Sequence, residues 1–352
     1  MSVTSTPGVR ASAVQAVARG RRRRATRRRL VMATLAVLVA AGFAVTLMAG
    51  HTFYPPGEVL RVLAGEQVPG ASFTVGRLRL PRAVLAVTAG FAFGLGGVAF
   101  QTMLRNALAS PDIIGISSGA SAAAAIAIVS LSLGGTPVSV LAIGAALAVA
   151  LLMYTLAFRD GVAGTRLILI GIGISAMLDS VTSYVLSRAA EWDLQEVMRW
   201  LTGSLNGTTW SQALPAVAAV GVLTPVLLAL ARDLSALRFG DDTAAALGVR
   251  TERTRLAVIV AAVGLIAFGT AAAGPIAFVA FLSGPIAARL VGVGGSLLLP
   301  AGLVGALLVL AADFAGQFAF GTRYPVGVVT GVLGAPYLVY LIVRTHRAGG
   351  SP

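Results

Sequence analysis

Residues 21–49 read RRRRATRRRLVMATLAVLVAAGFAVTLMA: seven arginines within nine positions, then twenty residues without a charge. Twenty residues in helical rise cover about 30 Å, the hydrocarbon depth of a bilayer. A basic block against an apolar run marks a cytoplasmic flank, because positively charged loops are retained on that side. A cleaved signal would have an apolar region of only about 7–15 residues and no further spans.

Further spans do follow. Uncharged or nearly uncharged runs occupy 83–104, 113–133, 138–158, 167–187, 210–231, 256–273, 275–291, 297–317 and 326–343, making ten with the first at 30–49. The eighth is short and contains Gly284-Pro285, so it predicts a broken or tilted helix whose freed backbone groups need partners from neighbouring protein. Of 352 residues 57% are hydrophobic and 11% charged, with a mean hydropathy of +0.88. A soluble protein would carry about 25% charged residues. The expectation is an all-α polytopic membrane protein of about ten transmembrane helices.

Alternating sides from a cytoplasmic N terminus puts 20 arginines inside and 7 outside, and both termini inside. Residues 1–29, with nine arginines and no acid, read as a disordered cytoplasmic tail, 30–346 as the membrane domain, and 347–352 as a short C-terminal tail. A nucleic-acid reading of the arginine tail is the lesser alternative.

Composition excludes several chemistries. All 27 basic residues are arginine, so the lysine of a phosphate-binding P-loop is missing and any ATP must be hydrolysed by another subunit. Cysteine is absent, and His51 and His346 both fall at span edges, so no metal site is expected and any metal cargo travels already chelated. The 42 glycines lie largely within the spans, where small residues let helices approach closely.

Three features point to function. The longest inner loop, 232–255, contains Asp241-Asp242 as a helix start and Gly248 as its stop, which predicts a short helix on the cytoplasmic face that docks a soluble partner. Four of the seven outer arginines fall between Arg61 and Arg82, against the charge rule, and so suit an acidic partner or anionic ligand. Asp179 and Asp313 are the intramembrane acids, neither with an evident basic partner in the sequence. They keep open a rival reading, a secondary transporter coupled to an ion gradient.

The chain resembles the FecCD-type permease subunits of bacterial ABC importers for iron-siderophores, a family that includes vitamin B12 and heme permeases. The matching stretches are RLPR at 79–82, GVAFQTMLRNALASPDIIGISSGAS at 97–121, RLILIGIGISAML at 166–178, GSLNG at 203–207, GDDTAAALGV at 240–249, GPIAFV at 274–279 and PVGVVTGVLGAPY at 325–337. The wording is most similar to the ferric-enterobactin type. The resemblance implies a type II ABC importer permease fold with ten helices, working with a second permease subunit, two cytoplasmic ATPases that bind ATP and magnesium, and an external siderophore-binding protein. No cofactor is implied for this chain. Whether the second permease is a paralogue or a copy stays open.

By the same resemblance Arg238, Phe239, Gly240, Asp241, Asp242, Ala246, Leu247 and Gly248 form the ATPase-coupling surface, and Arg79, Arg82 and Arg323 dock the binding protein. The cytoplasmic gate falls at Asp160, Gly161, Gly164 and Thr165. Gly115, Ser117, Ser118, Gly119 and Asp179 are the pathway candidates. Departures include Gly284-Pro285 in place of the usual Pro-His, and Asn106-Ala107-Leu108 in place of Asn-Pro-Leu.

Overall fold

The computed structural model describes residues 7–111, 115–157, 164–292 and 294–347. Among these, every regular element is helical, and each of the ten apolar runs coincides with a helix: α1 (Pro7–Met48), α2 (Leu80–Met103), α3 (Ile116–Val129), α4 (Thr136–Ala157), α5 (Gly164–Ser187), α6 (Trp210–Ala229), α7 (Thr251–Ala273), α8 (Val279–Val291), α9 (Leu298–Phe318) and α10 (Val326–Arg347). Seven helices are long and apolar enough to cross a membrane; α3, α8 and the apolar part of α10 are shorter. The arginine tail differs from expectation, since α1 begins at Pro7 rather than at the apolar run. Its alanines and arginines are strong helix formers that extend the span.

Helix α2 is the centre, packed against α7, α8 and α9. Glycine makes this possible. A side chain on Gly90 or Gly94 would overlap the backbone of Gly305 or Ala301 in α9, and one on Gly97 would overlap Ala280 in α8. Gly90 and Gly94 face Ala301 and Gly305 at the same four-residue spacing, so two backbones touch along matching small stripes. Helices α4, α5, α6 and α10 lie outside this centre with large apolar side chains exposed, as lipid or a second membrane subunit requires.

Loops gather at two ends. The basal end brings together Arg27 and Arg28 of α1, the 104–107 turn, the 237–248 segment and residues 289–297. The distal end brings together residues 47–79, the 191–209 segment, the α7–α8 break and residues 313–327. Three motif glycines meet there: Ser204 N–H donates to Ala273 O at 2.8 Å and Gly327 N–H to Gly203 O at 3.1 Å. A side chain on Gly203, Gly274 or Gly327 would strike Pro275, Trp200 or Thr202.

Helix α8 answers the question its sequence raised. Pro285 has no N–H, so the carbonyl of Phe281, four residues back, loses its helical donor. Gln101 of α2 replaces it, with Nε2 donating to Phe281 O at 2.9 Å. Gly284 leaves room for that amide, which any side chain there would strike. Gln101→Leu should therefore cost about 1–3 kcal/mol by stranding the carbonyl. In a Pro285→Ala background, where the restored backbone N–H reaches the same oxygen, the loss should be clearly smaller. Thermal unfolding of the four detergent-solubilised proteins measures this cycle, and equal losses in both backgrounds would reject the assignment.

Candidate functional site

The basal segment after α6 folds from a few anchored residues. Leu234, Leu237 and Ala244 are buried, fixing the turn Leu237–Phe239 and the helix Asp241–Ala246 to the bundle. Between them Gly240 adopts φ +101°, which only glycine takes without strain. Gly248, at φ +85°, ends the segment. Asp241 and Asp242 occupy the first helical turn, where negative charge is favourable. They differ in use: Asp241 turns inward to accept a hydrogen bond from Arg255 of α7, whereas Asp242 is exposed. Arg238, Ala246 and Gly248 are exposed too. Phe239 and Leu247 are 73% and 66% exposed. On a lipid-facing helix that would be ordinary, but here two large apolar side chains stand on a loop end, held by a rigid base. Exposed apolar groups of this kind mark an interaction surface.

The distal arginines are arranged otherwise than expected. Arg79 does not project: Nη1 donates to Leu47 O and Met48 O, both at 2.9 Å, and Nη2 to Thr52 O at 2.7 Å. It thereby caps the last carbonyls of α1, with Tyr54 under its guanidinium at 5.1 Å. Arg82 pairs with Asp313 of α9 through both forks, Nε to Oδ2 at 2.9 Å and Nη2 to Oδ1 at 2.7 Å. Gln317 Nε2 adds a third bond to Oδ2 at 2.8 Å. Asp313 is 2% exposed and Arg82 15%. Asp313 thus has the basic partner its sequence context did not reveal, and the two buried charges compensate each other in place.

The two arginines of RLPR are therefore committed to internal acceptors, whereas Arg77 and Arg323 are exposed. Arg323 Nη2 lies 2.6 Å from His51 Nε2. Arg61 pairs with Glu66 on the same rim at 2.6 Å, and that carboxylate raises the guanidinium above its ordinary pKa.

The pathway candidates separate. Gly115 starts α3 at φ +87°, and a side chain there would lie 2.7 Å from Ser175 Oγ of α5. A side chain on Gly119 would lie equally close to Val149 Cγ2 of α4. Ser117 is also buried and Ser118 half-buried. The smallness of Gly115 and Gly119 lets α3 pack between α4 and α5. Asp179 is different: it is exposed on α5 with Gly173, Ala176, Ser180 and Ser183, a strip of small and polar residues on a helix otherwise showing Leu169, Ile172 and Met177. Of the gate residues, Asp160 and Gly161 lie outside the described residues. Gly164 and Thr165 open α5, with their side chains outside the description. No group of three or more histidine or acidic side chains placed to hold a metal occurs among the described residues.

The model of the FecCD transport family matches residues 36–344. The ferric enterobactin transport system permease protein of Escherichia coli is 37% identical over 302 residues, 86% of this chain and 92% of that protein. The achromobactin transport system permease protein of Dickeya dadantii is 37% identical over 316 residues, 88% of this chain and 90% of its own. Among solved structures, an inward-facing metal-chelate-type ABC transporter superposes with a TM-score of 0.80 at 26% identity, covering 89% of this chain and 99% of that one.

Removing one member of the Arg82–Asp313 pair strands a buried charge, so Asp313→Asn should lose about 3–5 kcal/mol. The double change Arg82→Met with Asp313→Leu should lose less than either single change. Asp179→Asn, at an exposed carboxylate, should change stability little. Unfolding midpoints in detergent decide this; an Asp313→Asn protein as stable as the parent would show that the pair is not formed.

Proposed function

The chain belongs to the FecCD transport family, and on that premise we propose that it is the transmembrane permease subunit of an ATP-driven importer that carries a ferric siderophore into a bacterial cell. The family consists of transport permeases rather than enzymes. The relatives for enterobactin and achromobactin support the choice of cargo class. In this reading the basal end is cytoplasmic, both termini lie there, and ten helices cross the cytoplasmic membrane. The partners are a second permease subunit, two copies of a cytoplasmic ATPase that bind ATP and magnesium, and an external siderophore-binding protein.

The observation that carries the proposal is the basal knob. Phe239 and Leu247 protrude while Leu237, Ala244 and the Asp241–Arg255 pair fasten them to α7, which packs on α2. A push on that knob is delivered to the centre of the bundle rather than dissipated in a slack loop. ATP binding closes the ATPases against the segment, the rigid centre tilts, and the subunit pair alternates between outward and inward openings. The strip around Asp179 on α5 is the wall offered to cargo. Its small and hydroxyl side chains hold a chelate by shape and hydrogen bonds, weakly enough to release it. At the distal end Arg323 and Arg77 meet acidic groups of the binding protein, while Arg79 and Arg82 hold the platform in shape.

Proteoliposomes containing this chain, a second permease and an ATPase, supplied with ferric enterobactin on its binding protein, test the reading. Import should require ATP, fall at least tenfold in Phe239→Asp, and persist in Asp179→Asn. Full-rate import without an ATPase, or driven by an ion gradient and abolished by Asp179→Asn, would overturn it.

A further inference from the structure

At the basal end a cavity of about 390 Å³ opens between the end of α2, the second half of α8 and the 237–240 turn. Its polar lining is Gln101, Thr102, Arg105, Asn106 and Arg238, and no carboxylate takes part. Gln101 Nε2 is occupied by Phe281 O and Thr102 Oγ1 donates to Val98 O at 2.7 Å. Asn106 Oδ1 accepts Leu108 N–H at 2.9 Å, which leaves its Nδ2 as a donor. Neither guanidinium has an acidic partner within 4.0 Å among the described residues. The cavity is thus lined by two guanidinium groups and the Asn106 amide nitrogen as donors, beside the neutral oxygens of Gln101 and Thr102, and its only charges are positive.

Arg105 also stands where glycine is usual. Asn106 N–H reaches Gln101 O at 3.1 Å and Arg105 N–H reaches Thr102 O at 3.3 Å, the pattern of a Schellman turn closing α2. Arg105 is its left-handed residue, at φ +54°. A side chain held in a backbone conformation that disfavours it signals a use for that side chain. Here the guanidinium is brought against Gly240, where an added Cβ would sit 3.6 Å from Nη1. The second arginine, Arg238, is two residues away on that same turn.

We infer that the cavity between Arg105 and Arg238 is a binding site for a phosphate-type oxyanion, free or carried on a lipid headgroup, joining the α2 turn to the 237–240 turn. Guanidinium forks match the paired oxygens of such a group, and Asn106 supplies a neutral donor beside them. Occupation would neutralise two like charges and add a polar link between two segments already joined beneath the cavity by buried Leu237 and Met103. The inference stands on the cavity and does not depend on the cargo.

The full-length protein in detergent is titrated with inorganic phosphate at constant ionic strength and followed by melting temperature and calorimetry. In parallel, native mass spectrometry scores retention of phosphatidylglycerol against phosphatidylcholine. Saturable phosphate binding that weakens at least tenfold in the Arg105→Gln, Arg238→Gln double variant identifies a free-anion site. Preferential retention of phosphatidylglycerol, lost in that variant and displaced by phosphate, identifies a headgroup site. Arg105→Lys should weaken binding less than Arg105→Gln, because charge survives without the fork. Should the double variant not fold, Ala288→Phe fills the same cavity without altering charge and should lose the same ligand. Indistinguishable behaviour of parent and variants in both assays overturns the proposal.

Discussion

A lipid solvent supplies no hydrogen bonds, so every backbone donor or acceptor exposed by an irregularity must be answered from within the chain. Several irregular points of this bundle are met in that way. Gln101 replaces the donor missing at Pro285, Arg79 gathers the carbonyls ending α1, and Arg27 does the same for Arg289 and Leu290 at the end of α8. Arg28 reaches Ser296 O at 2.6 Å just beyond. Long polar side chains here are parts of the helix framework, and their charge is secondary to their reach.

The same constraint divides the molecule mechanically. In the centre, α2 touches α8 and α9 backbone to backbone through glycine, with no room for a side chain between them. Around it, α5 and α10 keep broad exposed faces and few internal ties. A body with a rigid middle and lightly held flanks moves by tilting as a unit, with change concentrated where the flanks meet a neighbour. The basal knob is fastened to the rigid part, which is the arrangement an externally driven motion needs.

The sequence made the spans legible because an apolar run is local information: each of the ten coincides with a helix. The Asp241-Asp242 start and Gly248 stop were legible for the same reason, since capping depends on neighbours along the chain. The helical extension of α1 into the arginine tail was not, because a run of charges weakens packing but not helicity in an alanine and arginine context. The partners were not legible either. Asp313 finds Arg82 across 231 positions, and Asp241 finds Arg255, which looked like one more inner charge. Gly115, Ser117 and Gly119 show a further limit: small residues suit an open passage and a tight contact alike, and only the fold decides. Gln101 carried one usable signal, as an uncharged amide inside an apolar helix that needs something to bond.

The Arg82–Asp313 pair also sets a condition on biogenesis. Helix α2 leaves the ribosome long before α9, and at roughly 5–20 residues per second the carboxylate arrives roughly 10–50 s after the arginine. Throughout that interval Arg82 lacks the carboxylate that neutralises it in the folded bundle. Insertion of α9 ends the wait. Late closure of this contact means that a polypeptide cut short before α9 never acquires the carboxylate that holds Arg82 in place.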